Sequence, residues 1–294
     1  MSRQVTRAQV EHAAEECGAV VSRAYLDAIL RPLAAELAAR QDAGARLIGI
    51  SGAQASGKTT LSRLLAASLS EAGVPTFALS IDDLYLTRAE RKALAASVHP
   101  LCATRGVPGT HDVALGIETI DRLLGAAAGE EVLIPIFDKL ADDRLPRGRW
   151  RRCAGPVALV LLEGWCVGAP PIPSAALAEP FNALEREEDA EGRWRRWSND
   201  RLKRDYLALW RMLDAMILLR APNMKAVIDA RLGQERELAA NRPSEQGRAM
   251  DREAVARFVA HYERWTHHIR NRLSETADIV IDRDADFNFR IARL

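Results

Sequence analysis

The stretch Arg46-Leu-Ile-Gly-Ile-Ser51-Gly52-Ala-Gln-Ala-Ser-Gly57-Lys58-Thr59 decides how the rest of the chain is read. Arg46 to Ser51 is a short apolar run suited to a buried strand, and Gly52 to Thr59 fits G-x-x-x-x-G-K-[ST]. A helix-like segment follows to about Ala72, so the order is strand, glycine-containing loop, helix. Glycines let a backbone fold around an anion, and successive N–H groups then converge with the helix N-terminus on phosphates. On this reading Gly52, Ala53, Gln54, Ala55, Ser56, Gly57, Lys58, Thr59 and Thr60 are expected to cradle the phosphates of ATP. Lys58 would neutralise charge at the β and γ positions, and the Thr59 hydroxyl would ligate Mg²⁺.

Outward from this loop, further buried-strand candidates are Thr76–Ile81, Val132–Phe137, Val157–Leu162, Ala215–Leu219 and Asp278–Ile281, separated by helical or irregular stretches. Strands alternating with helices imply an α/β fold, a mainly parallel sheet with helices on both faces, here in the P-loop NTPase arrangement. Helically spaced Val20, Leu26, Ile29, Leu30, Leu33 and Leu37 place an N-terminal helical extension over 1–45, packed on a core spanning 46–294. Loops rich in Pro, Gly or charge around Pro100–His111, Asp138–Cys153 and Gly164–Ala190 are expected at the carboxyl ends of the strands, where ligands bind in open α/β sheets.

Composition narrows the function classes. The chain has 294 residues, 48% of them hydrophobic, enough for one substantial core. Its 41 Lys plus Arg against 40 Asp plus Glu give no general attraction to nucleic acid or an acidic membrane. Cys17, Cys102, Cys153 and Cys166 lack the paired spacing of a zinc or redox site and read as reduced thiols. Glu11, Glu15 and Glu16 interrupt what a signal peptide would need, and no apolar run is long enough to span a bilayer, so a cytoplasmic protein without membrane or nucleic-acid partners is expected.

Two strand ends carry acids. Thr76–Ile81 delivers Asp82 and Asp83 to the carboxyl edge beside the phosphate loop, where phosphoryl transfer to an alcohol needs a proton acceptor and metal-holding carboxylates. Asp82 is the favoured base and a metal candidate; Asp83 also reads as an N-cap for the helix near Thr87. Val157–Leu162 ends in Glu163, the Walker B arrangement, with Glu163 expected on Mg²⁺ opposite Thr59.

Ser80-Ile-Asp-Asp-Leu-Tyr-Leu-Thr87, Arg105-Gly-Val-Pro-Gly-Thr-His-Asp112, Phe137-Asp-Lys139 with Asp143-Arg144, and Glu163-Gly-Trp-Cys-Val-Gly168 together resemble the D-glycerate 3-kinase family, P-loop kinases related to uridine kinase, pantothenate kinase and phosphoribulokinase. The resemblance runs in order from about Leu47 to Ile281. It implies transfer of the ATP γ-phosphate to the 3-hydroxyl of D-glycerate. It also implies that Asp83, Tyr85, Arg105, His111, Asp112, Lys139 and Arg144 line the acceptor side, cations meeting a carboxylate and His or Asp meeting hydroxyls. Asp112 stands as well where the apolar-periodic segment Val113–Ile120 needs a helix start signal. A lid over about 222–248 contains Arg231-Leu-Gly-Gln-Glu-Arg236, similar to a W-R-L-Q-Q-E-like segment of relatives. Arg231 and Arg236 are its candidates to stabilise the transferring charge. Ala230 and Gly233 depart from that pattern.

Alternatives stay open at this point. A nucleoside, pantothenate or sugar-phosphate kinase uses the same loop, as does an ATPase or switch protein, which would release phosphate without a small acceptor. The run Arg144, Arg147, Arg149, Arg151 and Arg152 around Trp150 invites a nucleic-acid reading but overlaps the acceptor loop. Glu185 to Glu191 reads as a solvated acidic turn, and Trp194, Trp197, Tyr206 and Trp210 as a packing face. Oligomeric state is not legible.

Overall fold

The computed structural model describes residues 5–241 and 250–294. Its strands are β1 (Leu47–Gly52), β2 (Thr76–Ser80), β3 (Glu131–Ile134), β4 (Phe137–Asp138), β5 (Asp143–Arg144), β6 (Arg151–Ala154), β7 (Leu159–Gly164), β8 (Ala215–Arg220), β9 (Ile279–Arg283) and β10 (Phe289–Arg293). The helices are α1 (Arg7–Glu16), α2 (Arg23–Tyr25), α3 (Arg31–Asp42), α4 (Lys58–Glu71), α5 (Arg88–Ser97), α6 (Val113–Gly125), α7 (Ala183–Glu188), α8 (Arg193–Trp210), α9 (Met224–Asn241) and α10 (Arg252–Thr276). A π-helical stretch, Leu26–Leu30, joins α2 to α3.

Six strands form one sheet in the order β10-β9-β8-β1-β7-β2, parallel throughout except for the antiparallel edge strand β10. Every residue of β1 and β7 is buried, as expected of parallel strands covered on both faces. Alternate residues face alternate layers. Ile48 and Ile50 of β1 pack with Leu30, Leu33 and Leu37 of the N-terminal helices and Leu61 and Leu65 of α4. Leu47 of β1 and Val160 and Leu162 of β7 pack on the other face with Ile120, Leu202 and Trp265 of α6, α8 and α10. The N-terminal helices are thus one wall of the main core, and residues 1–4 of the extension lie outside the described residues.

The expected core strand Val132–Phe137 is corrected. β3 leaves the main sheet and pairs antiparallel with β6, and Phe137 begins the separate β4–β5 hairpin. Burial in β3 alternates, with Glu131 exposed and Val132 and Ile134 buried, the pattern of a strand with one wet face.

The acidic segment near Glu185 is also corrected. Glu185 and Asp189 are buried, Glu185 taking Arg264 Nε at 2.8 Å and Nη2 at 2.5 Å, and Asp189 taking Arg195 Nη1 at 3.1 Å. Asp189 also accepts the Trp194 backbone N–H at 2.8 Å, which starts α8. Arg264 stands 79 residues from Glu185, and the pairs tie α7, α8 and α10 together. Glu185→Ala leaves Arg264 charged without its acid in a buried site. We expect it to cost about 3–5 kcal/mol, measured as the shift of the urea unfolding midpoint at unchanged slope.

Among the described residues, no helix is long and apolar enough to cross a membrane. All four cysteines are free, Cys102 and Cys166 buried.

Candidate active site

The phosphate loop leaves β1 and closes at the N-terminus of α4, where Gly57 takes φ 95°. That left-handed value suits glycine and lets the chain turn directly into the helix. Within the loop the Gln54 amide and Ser56 hydroxyl are buried with no hydrogen-bond partner among the described residues. Buried polar groups are ordinarily paired, so this cradle is built for a ligand that supplies the missing partners. Lys58 donates from Nζ to the Ala53 carbonyl at 3.0 Å. Burial lowers its pKa, partly offset by the nearby charges of Glu163 and Asp82.

Across the loop, the Thr59 hydroxyl donates to Glu163 Oε1 at 2.9 Å. Glu163 lies within β7, with 4% of its surface exposed. Two oxygens about 3 Å apart match the cis edge of an octahedral Mg²⁺ shell with bonds of roughly 2.1 Å. The described residues assemble no cluster of three acidic, histidine or cysteine ligands. Such a donor set fits Mg²⁺, which takes one or two carboxylates and completes its shell with phosphates and water.

Asp82 sits in a 3₁₀ turn, Ile81–Leu84, at the end of β2, with its N–H held by the Ser80 side chain. Its carboxylate accepts Lys139 Nζ at 2.7 Å and the Tyr85 hydroxyl at 2.8 Å. Burial would raise its pKa, but Lys139 and the Tyr85 hydrogen bond more than offset this and hold it at about 2. Asp82 is therefore ionised.

One cleft of about 140 Å³ collects Lys58, Thr59, Asp82, Tyr85, Arg105, Lys139, Glu163 and Arg231. Gln54 and Ala55 of the loop line it too. Arg231 of α9 pairs with Glu235, bonds Gln234 at 3.2 Å and lies 5.3 Å over the Phe258 ring. Arg236 is exposed on the same helix and does not line the cleft. Residues 242–248 of the expected lid lie outside the described residues. Gly57 and Thr60 border a second cavity, of about 770 Å³, between α9, the N-terminal helices and the β9–β10 turn.

Four expected acceptor contacts stand behind the cleft instead of lining it. Asp83 accepts the Phe137 N–H at 3.2 Å. Asp112 caps α6 through the Leu115 N–H at 3.1 Å and binds Arg144 Nη1 at 3.0 Å. The N-cap reading of Asp112 therefore describes its contacts. These bonds, with the Arg88 N–H on Asp143 at 2.9 Å, fasten the β4–β5 hairpin that carries Lys139 into the cleft. His111 is buried, stacked on Tyr85 at 4.7 Å and sharing a 2.6 Å hydrogen bond with Tyr206. Burial lowers its pKa to about 4, so it is neutral near pH 7. It supports Tyr85 from behind.

The cleft also holds residues that sequence reading passed over: Trp165, Gln234, Phe258 and Tyr262. Trp165 lay inside the quoted Glu163–Gly168 stretch. Phe258 and Tyr262 follow the helical period of α10 and look there like core residues. The basic run around Trp150 is largely engaged, Arg151 lying 4.9 Å over Phe77 and Arg152 pairing with Glu131 at 2.5 Å.

A parallel sheet with a phosphate loop after its central strand, and a metal-suited acid on the neighbouring strand, define a P-loop kinase fold. No protein-family model matches the chain. An uncharacterised kinase of Schizosaccharomyces pombe, mug58, is 34% identical over 224 residues, covering 74% of this chain and 78% of that protein. The chloroplastic D-glycerate 3-kinase of Arabidopsis thaliana is 30% identical over 224 residues, and the match spans 46% of its length and 74% of this chain. The solved D-glycerate 3-kinase of Cryptococcus neoformans superposes with a TM-score of 0.72 at 22% identity, covering 89% of this chain and 97% of that one, a likeness of fold. The chain belongs to the D-glycerate 3-kinase family of P-loop kinases.

Proposed function

We propose that the protein transfers the γ-phosphoryl group of ATP to a hydroxyl of a small hydroxy acid, D-glycerate giving 3-phosphoglycerate. The observation that carries this is the cleft itself. Phosphate-binding Lys58 and Thr59 stand in it with the cations Lys139 and Arg105 and the ionised Asp82. Its volume, about 140 Å³, lies well below the roughly 300–1,000 Å³ of sites for larger ligands. A three-carbon acid suits that space better than a nucleoside.

Lys58 and the loop N–H groups hold the β- and γ-phosphates, and the 770 Å³ cavity beyond Gly57 takes the nucleoside end. Thr59 and Glu163 would hold Mg²⁺, which when bound offsets charge on the phosphates. Arg105 and Lys139 bind the acceptor carboxylate, orienting a hydroxyl toward Asp82. Asp82 accepts the hydroxyl proton as the new O–P bond forms. Arg231, from the lid helix, faces the phosphoryl group in flight.

The test is ADP release with D-glycerate, uridine, pantothenate and ribulose phosphate in parallel. Turnover confined to the hydroxy acid supports the reading. Turnover with another alcohol and none with D-glycerate rejects the acceptor and keeps the kinase; phosphate release with no acceptor at all favours an ATPase.

A further inference from the structure

We infer that Tyr262 of α10 is a positioning residue for the acceptor, acting through the Arg105–Gly106 peptide; the inference rests on the functional reading above. Arg105 contributes its guanidinium to the cleft, where it pairs with Asp142 and lies 5.4 Å over the Phe137 ring. Those contacts fix the tip of the side chain. Its backbone is fixed separately, and from a distant helix.

The Tyr262 hydroxyl donates to the Arg105 carbonyl at 2.7 Å. Trp165 Nε1 donates to the next carbonyl, that of Gly106, at 2.9 Å. The two rings meet edge to face at 5.0 Å, so the paired carbonyls are read by one rigid aromatic unit. Gly106 takes φ 125°, and a Cβ there would collide with the Tyr262 hydroxyl and ring. Only glycine lets the peptide come this close.

Tyr262 also packs against Phe258, the tilted rings 5.0 Å apart, and Phe258 carries Arg231 of the lid helix on its other contact. The acceptor arginine and the lid arginine are therefore braced by neighbouring turns of one helix. The buried phenol, its pKa raised by burial, stays protonated and donates throughout the working pH range. Tyr262 itself carries no charge toward the acceptor. Its part is to set where Arg105 starts from.

Steady-state kinetics of the full chain test this with Tyr262→Phe, which keeps the ring and removes the bond. Its KM for D-glycerate should rise about tenfold, with KM for ATP held within about twofold, since one hydrogen bond to the part-buried Arg105 carbonyl is lost. Because the effect runs through Arg105, adding Tyr262→Phe to Arg105→Met should raise KM for D-glycerate no further than about twofold. Four results would overturn the inference: an unchanged KM for D-glycerate, parallel rises in both KM values, multiplying effects in the double variant, or a melting temperature more than about 10 °C below wild type. A wild-type protein inert toward D-glycerate and other hydroxy acids sinks the functional reading and this inference with it. An active wild type with an indifferent Tyr262→Phe sinks only the role of Tyr262.

Discussion

Lys58→Ala is expected to lower kcat by at least about 10³-fold, a loss of some 4 kcal/mol of transition-state stabilisation, while the protein stays folded. The reason is the isolation of this cation. Among the described residues Lys58 forms no ion pair within 4 Å; its Nζ donates to the Ala53 carbonyl, and burial has already taken it out of water. A charge held ready in this way costs little reorganisation when phosphate arrives, so its removal is felt most where negative charge is greatest. The loop backbone would persist, because its turn depends on Gly57 and not on the lysine. Calorimetry with Mg-ATP and a melting curve separate the two effects: weakened binding and near-zero turnover at an unchanged melting temperature are expected. Retention of more than about a tenth of wild-type kcat would mean that the phosphate is neutralised elsewhere, and the assignment of the loop would fail.

The parts of this site that the sequence announces are those whose chemistry is local. Gly52 to Thr59 needs only a preceding strand and a following helix, and Asp82 and Glu163 end apolar runs, so each can be read within about ten residues. The acceptor side behaves differently. Asp83, Asp112 and Arg144 come from the same set of short motifs that supplies Lys139, yet they hold the hairpin while Lys139 reaches the cleft. Motif letters do not say which member faces the ligand, because that depends on contacts 32 residues apart between Asp112 and Arg144, or 54 apart between Asp83 and Phe137. Glu185 was misread for the same reason, its buried partner Arg264 lying 79 residues away. Tyr262 shows the limit most sharply, since its hydroxyl finds Arg105 across 157 residues. On a helical wheel it is merely another apolar position. Edge strand β10 escaped notice because Phe289-Arg-Ile-Ala-Arg293 is a run too short and too charged to stand out.

Asp82→Asn should lower kcat by about 10²–10⁴-fold and leave KM for ATP within a few-fold. Asparagine matches the shape of aspartate and still offers an oxygen to the Tyr85 hydroxyl, so the 3₁₀ turn and the hydrogen bond at 2.8 Å can survive. What disappears is the negative charge that accepts a proton and that holds Lys139 at 2.7 Å. Two effects then pull apart. Lys139 is released from its partner and becomes freer to bind an anionic acceptor, so KM for D-glycerate should stay level or fall even as kcat collapses. A metal-only role for Asp82 makes a different forecast: the loss would be recovered in part by raising Mg²⁺, and KM for ATP would climb with it. Measuring kcat and both KM values across a Mg²⁺ series therefore decides which function Asp82 performs. If kcat survives within about threefold at every Mg²⁺ concentration, the proton leaves the hydroxyl by another route and Asp82 is only the counter-ion of Lys139.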